Sequence, residues 1–250
     1  MELMQMMGED VINYALMAVV IATAAFLQGV GGVGFAMLAA PIAVILAPEM
    51  VPGCLLVLGG SVSFLAAIRE RHEIVIPVVS WALVGRTIGT VLAAVGMTQL
   101  SKEWLGLWFG GFIFIAVLLS ASGIKVRANA VNVCGLGVAS GMMGTLTSVG
   151  APAIAIAMQS LKPVQLRPSL GSTLFVGSIL SIISLALAGL FTWKDLLLGL
   201  VLWPFMFLGF YLSGRARHVV SPKNVRLFLL WFCGISSVML IATSLIAWLT

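Results

Sequence analysis

Charge is scarce in this sequence. Of its 250 residues only 8% are Asp, Glu, Lys or Arg, against roughly 25% in a soluble domain, so a core hidden behind a solvated polar surface is excluded. Histidine is scarcer: His72 and His218 both stand beside arginines in connectors and form no cluster that would hold a metal or haem. The cysteines, Cys54, Cys134 and Cys233, lie far apart in apolar segments without C-x-x-C spacing. That pattern indicates neither a disulfide framework nor a metal site. Inside the apolar runs there is no nucleophile with a base and no His, Asp and Glu at ligand spacing, so neither an intramembrane enzyme nor a cofactor is expected.

What the sequence has in abundance is apolar length, with 61% hydrophobic residues and charges confined to short connectors. No stretch is left for a soluble domain, and residues 1–250 read as one all-α, polytopic membrane domain whose partner is the lipid bilayer. The net charge of +5 comes from connector residues, where orientation in the membrane requires them, and nucleic acid is not the expected partner. The long spans are Val11 to Gln28, Met50 to Ile68, Ile74 to Gly96, Trp104 to Ser120, Ser169 to Leu190, Leu196 to Leu212 and Val225 to Trp248. The first follows Glu2, Glu9 and Asp10 without a basic leader region, so it reads as a retained span. Phe35 to Ala47, Val131 to Met143 and Ala151 to Met158 are too short to cross a ~30 Å hydrocarbon core as straight helices.

The chain also resembles itself. Gly29 and Gly32 overlay Gly141 and Gly144, Pro41 overlays Pro152 with one gap, and Pro48 and Pro52 then overlay Pro163 and Pro168 with one more. Two repeats follow, about 11–120 and 130–249, each a glycine-broken helical hairpin plus three transmembrane helices. If each hairpin enters and returns on one side, Arg69, Arg71, Lys125, Arg127, Lys162, Arg167, Arg215, Arg217, Lys223 and Arg226 all face the cytoplasm. Only Lys102 and Lys194, each beside an acid (Glu103, Asp195), face outward. Counting eight plain passes instead scatters the basic connectors to both sides, against the positive-inside rule. An odd number of passes per half inverts the second half, giving the inverted-repeat architecture of secondary transporters.

Short, glycine-interrupted segments at matching positions of two halves point to a transport site. Broken backbone in lipid survives only where protein, water or substrate satisfies its amides. The first turn is "GVGGVG", Gly29 to Gly34, with Gly29, Gly31, Gly32 and Gly34 as site candidates. The second is "GTLTSVGAP", Gly144 to Pro152, contributing Gly144, Thr145, Thr147, Ser148 and Gly150. Ser148 is placed to N-cap the returning helix, and Pro152 suits its first turn. Each returning helix would aim a partly positive N-terminus at its tip, a ready site for an anion, and the two tips should approach near the midplane. Close packing is the other use of such glycines, and Gly85 and Gly89 in "GRTIG" fit it. Gln28 and Gln159 border the hairpins, either to touch polar substrate atoms or to pair helices. Arg86 lies deep in its span with no acid at similar depth, so a bound anion, backbone carbonyls or snorkelling must accommodate it.

The segments "LQGVGGVGFAMLAAP", "SGMMGTLTSVGAPAIAIAM" and "PSLGSTLF" resemble the sulfite exporter TauE/SafE family of bacterial membrane proteins. The matching positions are Gly29, Gly31, Gly32, Gly34 and Pro41, then Gly141, Gly144, Gly150 and Pro152, then Ser172 and Thr173. The resemblance implies export of a small anion, sulfite or an organosulfonate such as sulfoacetate, across the bacterial inner membrane. Thr145 to Val149 replaces much of the family's second glycine run. The expectation is thus a secondary transporter working by alternating access, against a non-transporting membrane subunit or assembly factor, with a homo-oligomer left open.

Overall fold

Lipid offers no hydrogen bonds to a backbone, and the chain meets that constraint with helices alone. The computed structural model describes residues 2–99, 102–123, 126–216 and 222–249, without the side chains of 2–10, 102–106, 222, 223, 226, 243, 244 and 246–249. Lys125, Arg217 and His218, and the side chains of Glu2, Glu9, Asp10, Lys102, Glu103, Lys223 and Arg226, therefore lie outside the described residues.

Among the described residues the order is α1 (Glu2–Gly31), α2 (Phe35–Leu46), α3 (Gly53–Arg69), α4 (Ile76–Gln99), α5 (Lys102–Ala121), α6 (Ala130–Thr147), α7 (Ala151–Met158), α8 (Pro163–Leu187), α9 (Trp193–Ala216) and α10 (Pro222–Leu249), with no strand. Five segments are long and apolar enough to cross a membrane: Val11–Gly31 of α1, and the whole of α4, α6, α8 and α9. Large apolar side chains such as Val201, Trp203 and Trp231 stand on the outside, where a soluble protein would show polar ones. The chain is a multi-pass helical membrane protein.

Two boundaries differ from those read in the sequence. α6 is not a short piece: it continues through Gly144 to Thr147 and is long enough to cross, because single glycines weaken a helix without ending it when neighbouring helices pack against them. Likewise α1 runs on through Gly29 to Gly31, so the first break narrows to Gly32, Val33 and Gly34. Only α2, with 12 residues, and α7, with 8, are short returning helices. In each half the break follows a helix of full length. The interruptions equate Gly32–Val33–Gly34 with Ser148–Val149–Gly150, about one helical turn beyond the overlay of Gly32 on Gly144.

The helices pair in a repeating way. α1 packs on α9 as α6 packs on α4; α2 lies on α10 as α7 lies on α5; α3 meets α8, and α5 meets α10. Exchanging the first five helices for the last five leaves these pairings unchanged. The α4–α6 seam is close along its length: a Cβ added at Gly85, Gly89 or Gly141 would fall on the carbonyl oxygen of Cys134, Val138 or Arg86 respectively. Gly85 and Gly89 therefore have the packing role that "GRTIG" suggested.

Candidate functional site

At the first break the backbone turns through conformations that side chains resist, with φ of +82° at Gly32 and +132° at Gly34. Gln28, one turn before the end of α1, spans the gap. Its Oε1 accepts the amide of Phe35 at 3.0 Å, and its Nε2 donates to Ser63 Oγ of α3 at 3.0 Å. This supplies an acceptor for one orphan donor at the start of α2 and ties the break to a neighbouring helix. The next amides, of Ala36 and Met37, have no preceding helical turn to bond, and both residues border an internal cavity.

At the second break Ser148 has φ 64°, a left-handed residue that closes α6. It is thus the C-cap of the arriving helix and not the N-cap of the departing one. The N-cap of α7 is Gly150, which makes no side-chain cap bond, while Pro152 does occupy the first turn. Thr147 stabilises the turn locally, its Oγ1 donating to the Met143 carbonyl at 2.7 Å and accepting the Val149 amide at 3.2 Å. Ser148 Oγ donates to the Pro52 carbonyl at 3.2 Å, so the tip of the second hairpin reaches the start of α3. In the other half, the Arg167 side chain packs over Gly32, and the tip of the first hairpin reaches α8.

Between the tips lies Arg86. It stands in the middle of α4, is only 2% exposed, and neither snorkels nor pairs with a carbonyl. Its Nη1 donates to Ser140 Oγ of α6 at 2.7 Å, and that hydroxyl donates onward to the Gly150 carbonyl at 2.7 Å. The Nε has no hydrogen-bond partner. Three glycines make the slot for the guanidinium. A Cβ at Gly144 would stand 2.8 Å from Nη2, one at Gly150 would stand 3.0 Å from Nη1, and one at Gly177 of α8 would fall on Nε itself. A full positive charge is held among neutral groups, with one serine hydroxyl as its hydrogen-bond partner among the described residues.

Arg86 borders a cavity of about 30 Å³ that is also lined by Gln28, Gly34, Ser63, Ser148 and Ser178. By size it accommodates ~2 water molecules. Both breaks, α3, α4 and α8 thus converge on one small chamber. A family model for the sulfite exporter TauE/SafE matches residues 16–240.

The chain belongs to the sulfite exporter TauE/SafE family. No characterised protein and no solved structure matches it. The family is one of membrane transporters, so the activity to locate here is passage of a solute.

Of the residues singled out in the sequence, the structure gathers Gln28, Gly34, Arg86, Gly144, Ser148 and Gly150 at or against this chamber. Others lie elsewhere. Gly29 faces Ser213 and Phe210 of α9, and Gly31 faces Val225 of α10. Thr145 joins Thr90 of α4 and Ser181 of α8 in a buried hydroxyl cluster, at 3.2 and 2.8 Å. Ser172 and Thr173 each spend their hydroxyl on the carbonyl one turn back, Pro168 at 2.8 Å and Ser169 at 2.9 Å. Gln159 is exposed and lines a separate outer chamber. Ser140, Ser63, Ser178 and Gly177 were not singled out. Serine and glycine are so common in membrane helices that nothing in the sequence sets them apart, except that Ser140 opens the "SGMMG" segment.

Proposed function

We propose that this protein is a secondary transporter that binds a small anion, sulfite or an organosulfonate, beside Arg86 and exports it across the bacterial inner membrane. The observation that carries the reading is the buried guanidinium, which has no counter-charge among the described residues. Burying an arginine in a membrane costs at least ~2.5 kcal/mol, and an anion at the chamber would offset that cost by direct attraction. Around it the Ala36 and Met37 amides and the partly positive N-termini of α2 and α7 add donors that suit oxyanions. Low dielectric strengthens each of these contacts, and the absence of a local carboxylate leaves nothing to compete for them.

The same geometry supports alternating access. An oxyanion is several times larger than water, so the chamber of about 30 Å³ must widen to take one, and passage in this reading requires it to open on each side in turn. The exchangeable pairing of α1–α5 with α6–α10 supports an inverted repeat, in which one half reproduces in reverse the movement of the other. The connectors carrying Arg69, Arg71, Lys162, Arg167 and Arg215 face the cytoplasm in this orientation.

The test is flux from proteoliposomes loaded with labelled sulfite, sulfoacetate or acetate. Wild-type protein should release the sulfur anions with saturation, and Arg86→Gln should reduce that release at least tenfold. Wild-type vesicles that release none of the three would sink the proposal.

A further inference from the structure

A second chamber, of about 470 Å³, lies beside the first. Its lining includes Gly31 at the end of α1, Val33 of the first break, Pro152 and Ile156 of α7, and Gln159 just beyond α7. Gln159 and Ile156 lead to the connector that carries Lys162, so this chamber lies beside a basic connector. Of the residues that line it, Met37 alone also lines the small chamber at Arg86. Met37 itself is 4% exposed. Its backbone is anchored, because Cys233 Sγ of α10 donates to its carbonyl at 2.8 Å, while its side chain is unbranched and has three rotatable bonds. A residue with an anchored backbone and a pliable side chain is thus shared by the wide space and the narrow one.

We propose that the larger chamber is the cytoplasmic access route to the anion site and that the Met37 side chain is its gate, setting the size of anion that can reach Arg86. The inference builds on the anion site proposed above. Rotation of the thioether away from the boundary would join the two chambers without moving a helix. The surroundings argue for a sieve by size and not by charge, since the walls at this point are apolar and the guanidinium beyond them already selects negative solutes.

The experiment reads access directly and needs no transport. In a protein with Cys54→Ala, Cys134→Ala and Cys233→Ser, the last keeping a hydroxyl for the Met37 carbonyl, Ser178→Cys places a thiol in the inner chamber. Its reaction with 2-sulfonatoethyl methanethiosulfonate, an anionic thiol reagent, is followed with Met, Ala, Phe or Trp at position 37. Met37→Ala should accelerate labelling at least tenfold, and Met37→Phe or Met37→Trp should slow it at least tenfold. Ile156→Trp, which narrows the outer chamber and leaves Met37 intact, should slow it as well. Labelling rates independent of residue 37, or a thiol that stays unlabelled in every variant, would overturn the inference. Failure of the anion reading would show instead as absent flux with this labelling pattern preserved.

Discussion

Gly177 offers the sharpest perturbation, because the change is one methyl group and local helix energetics favour it. In α8 an alanine is about 1 kcal/mol better than glycine as a helix former. Yet its Cβ would occupy the place of Arg86 Nε and stand far inside van der Waals contact of Cδ and Cζ. The guanidinium must shift, within a slot that Gly144 and Gly150 also border closely. Overpacking of this kind costs about 1–3 kcal/mol, so the two effects nearly cancel in stability. For transport they do not cancel. Displacing one partner of a buried charge pair costs about 2–5 kcal/mol, or roughly 30-fold to several thousand-fold in affinity. Anion efflux from proteoliposomes should therefore need far higher substrate for half-saturation in Gly177→Ala, while the apparent Tm in detergent moves by only a few degrees. Gly135→Ala on α6, whose Cβ would meet nothing within 4 Å, is the control and should transport normally. A Gly177→Ala protein with the wild-type concentration dependence would refute the assignment of Arg86 to the anion site.

Ser140→Ala removes at once the acceptor of Arg86 Nη1 and the donor to the Gly150 carbonyl; with ~2 kcal/mol or more lost from the buried groups left unpaired, the apparent Tm should fall by roughly 5 °C. An unchanged melting curve would show that the serine bridge carries no stability. Gly34→Ala combines a φ of +132° with a clash against Leu229 Cδ1, and a strain of about 1–3 kcal/mol should lower both Tm and flux. Gly32→Asn, at a φ of +82°, should be milder because asparagine tolerates left-handed backbone; equal losses in the two would remove the conformational explanation.

Much of this arrangement was legible before the coordinates. Apolar runs separated by charged connectors or glycine breaks located the ten helices of the described residues, because a membrane enforces that pattern over whole segments. The existence of both breaks was legible too, since glycine density and short returning segments have few other uses. Their positions were not. Glycines 29, 31 and 144 sit inside helices, and only tertiary packing decides which glycine bends: Gly29 is held against α9, whereas Gly32 meets only the flexible side chain of Arg167. Ser148 misled for a related reason, because a serine before a short helix looks like an N-cap, and the left-handed turn that it adopts carries no sequence signal. Arg86 was conspicuous as a lone charge, but the serine and glycines that enclose it come from α6, α8 and the second break, where no periodicity marks them.

The glycine seams also constrain what can move during transport. α4 belongs to the first half by sequence, yet Gly85 and Gly89 lock it to α6 of the second, and Gly209 of α9 is equally close to the Ala22 carbonyl of α1. Backbones in such contact cannot slide past each other without breaking the fit along the whole seam. If access alternates, the moving bodies are therefore composites, one built on α1 and α9 and the other on α4 and α6, with Arg86 riding on the second. On this reasoning the joint between composites is the contact of α3 with α8, where the comparable glycine approach is looser: a Cβ on Gly171 would stand 2.8 Å from the Ser63 carbonyl oxygen, whereas one on Gly85 or Gly209 would fall on a carbonyl oxygen. There a Cβ on Gly60 would stand 3.0 Å from Ser178 Cβ, a few tenths of an ångström inside the usual span of about 3.5–4.5 Å for a disulfide. Gly60→Cys with Ser178→Cys, in a protein lacking its native cysteines, should close that joint on oxidation and stop efflux, with recovery on reduction. Efflux that continues unchanged through a fully formed cross-link would mean that α3 and α8 never separate, and the opening would have to be sought between other helices.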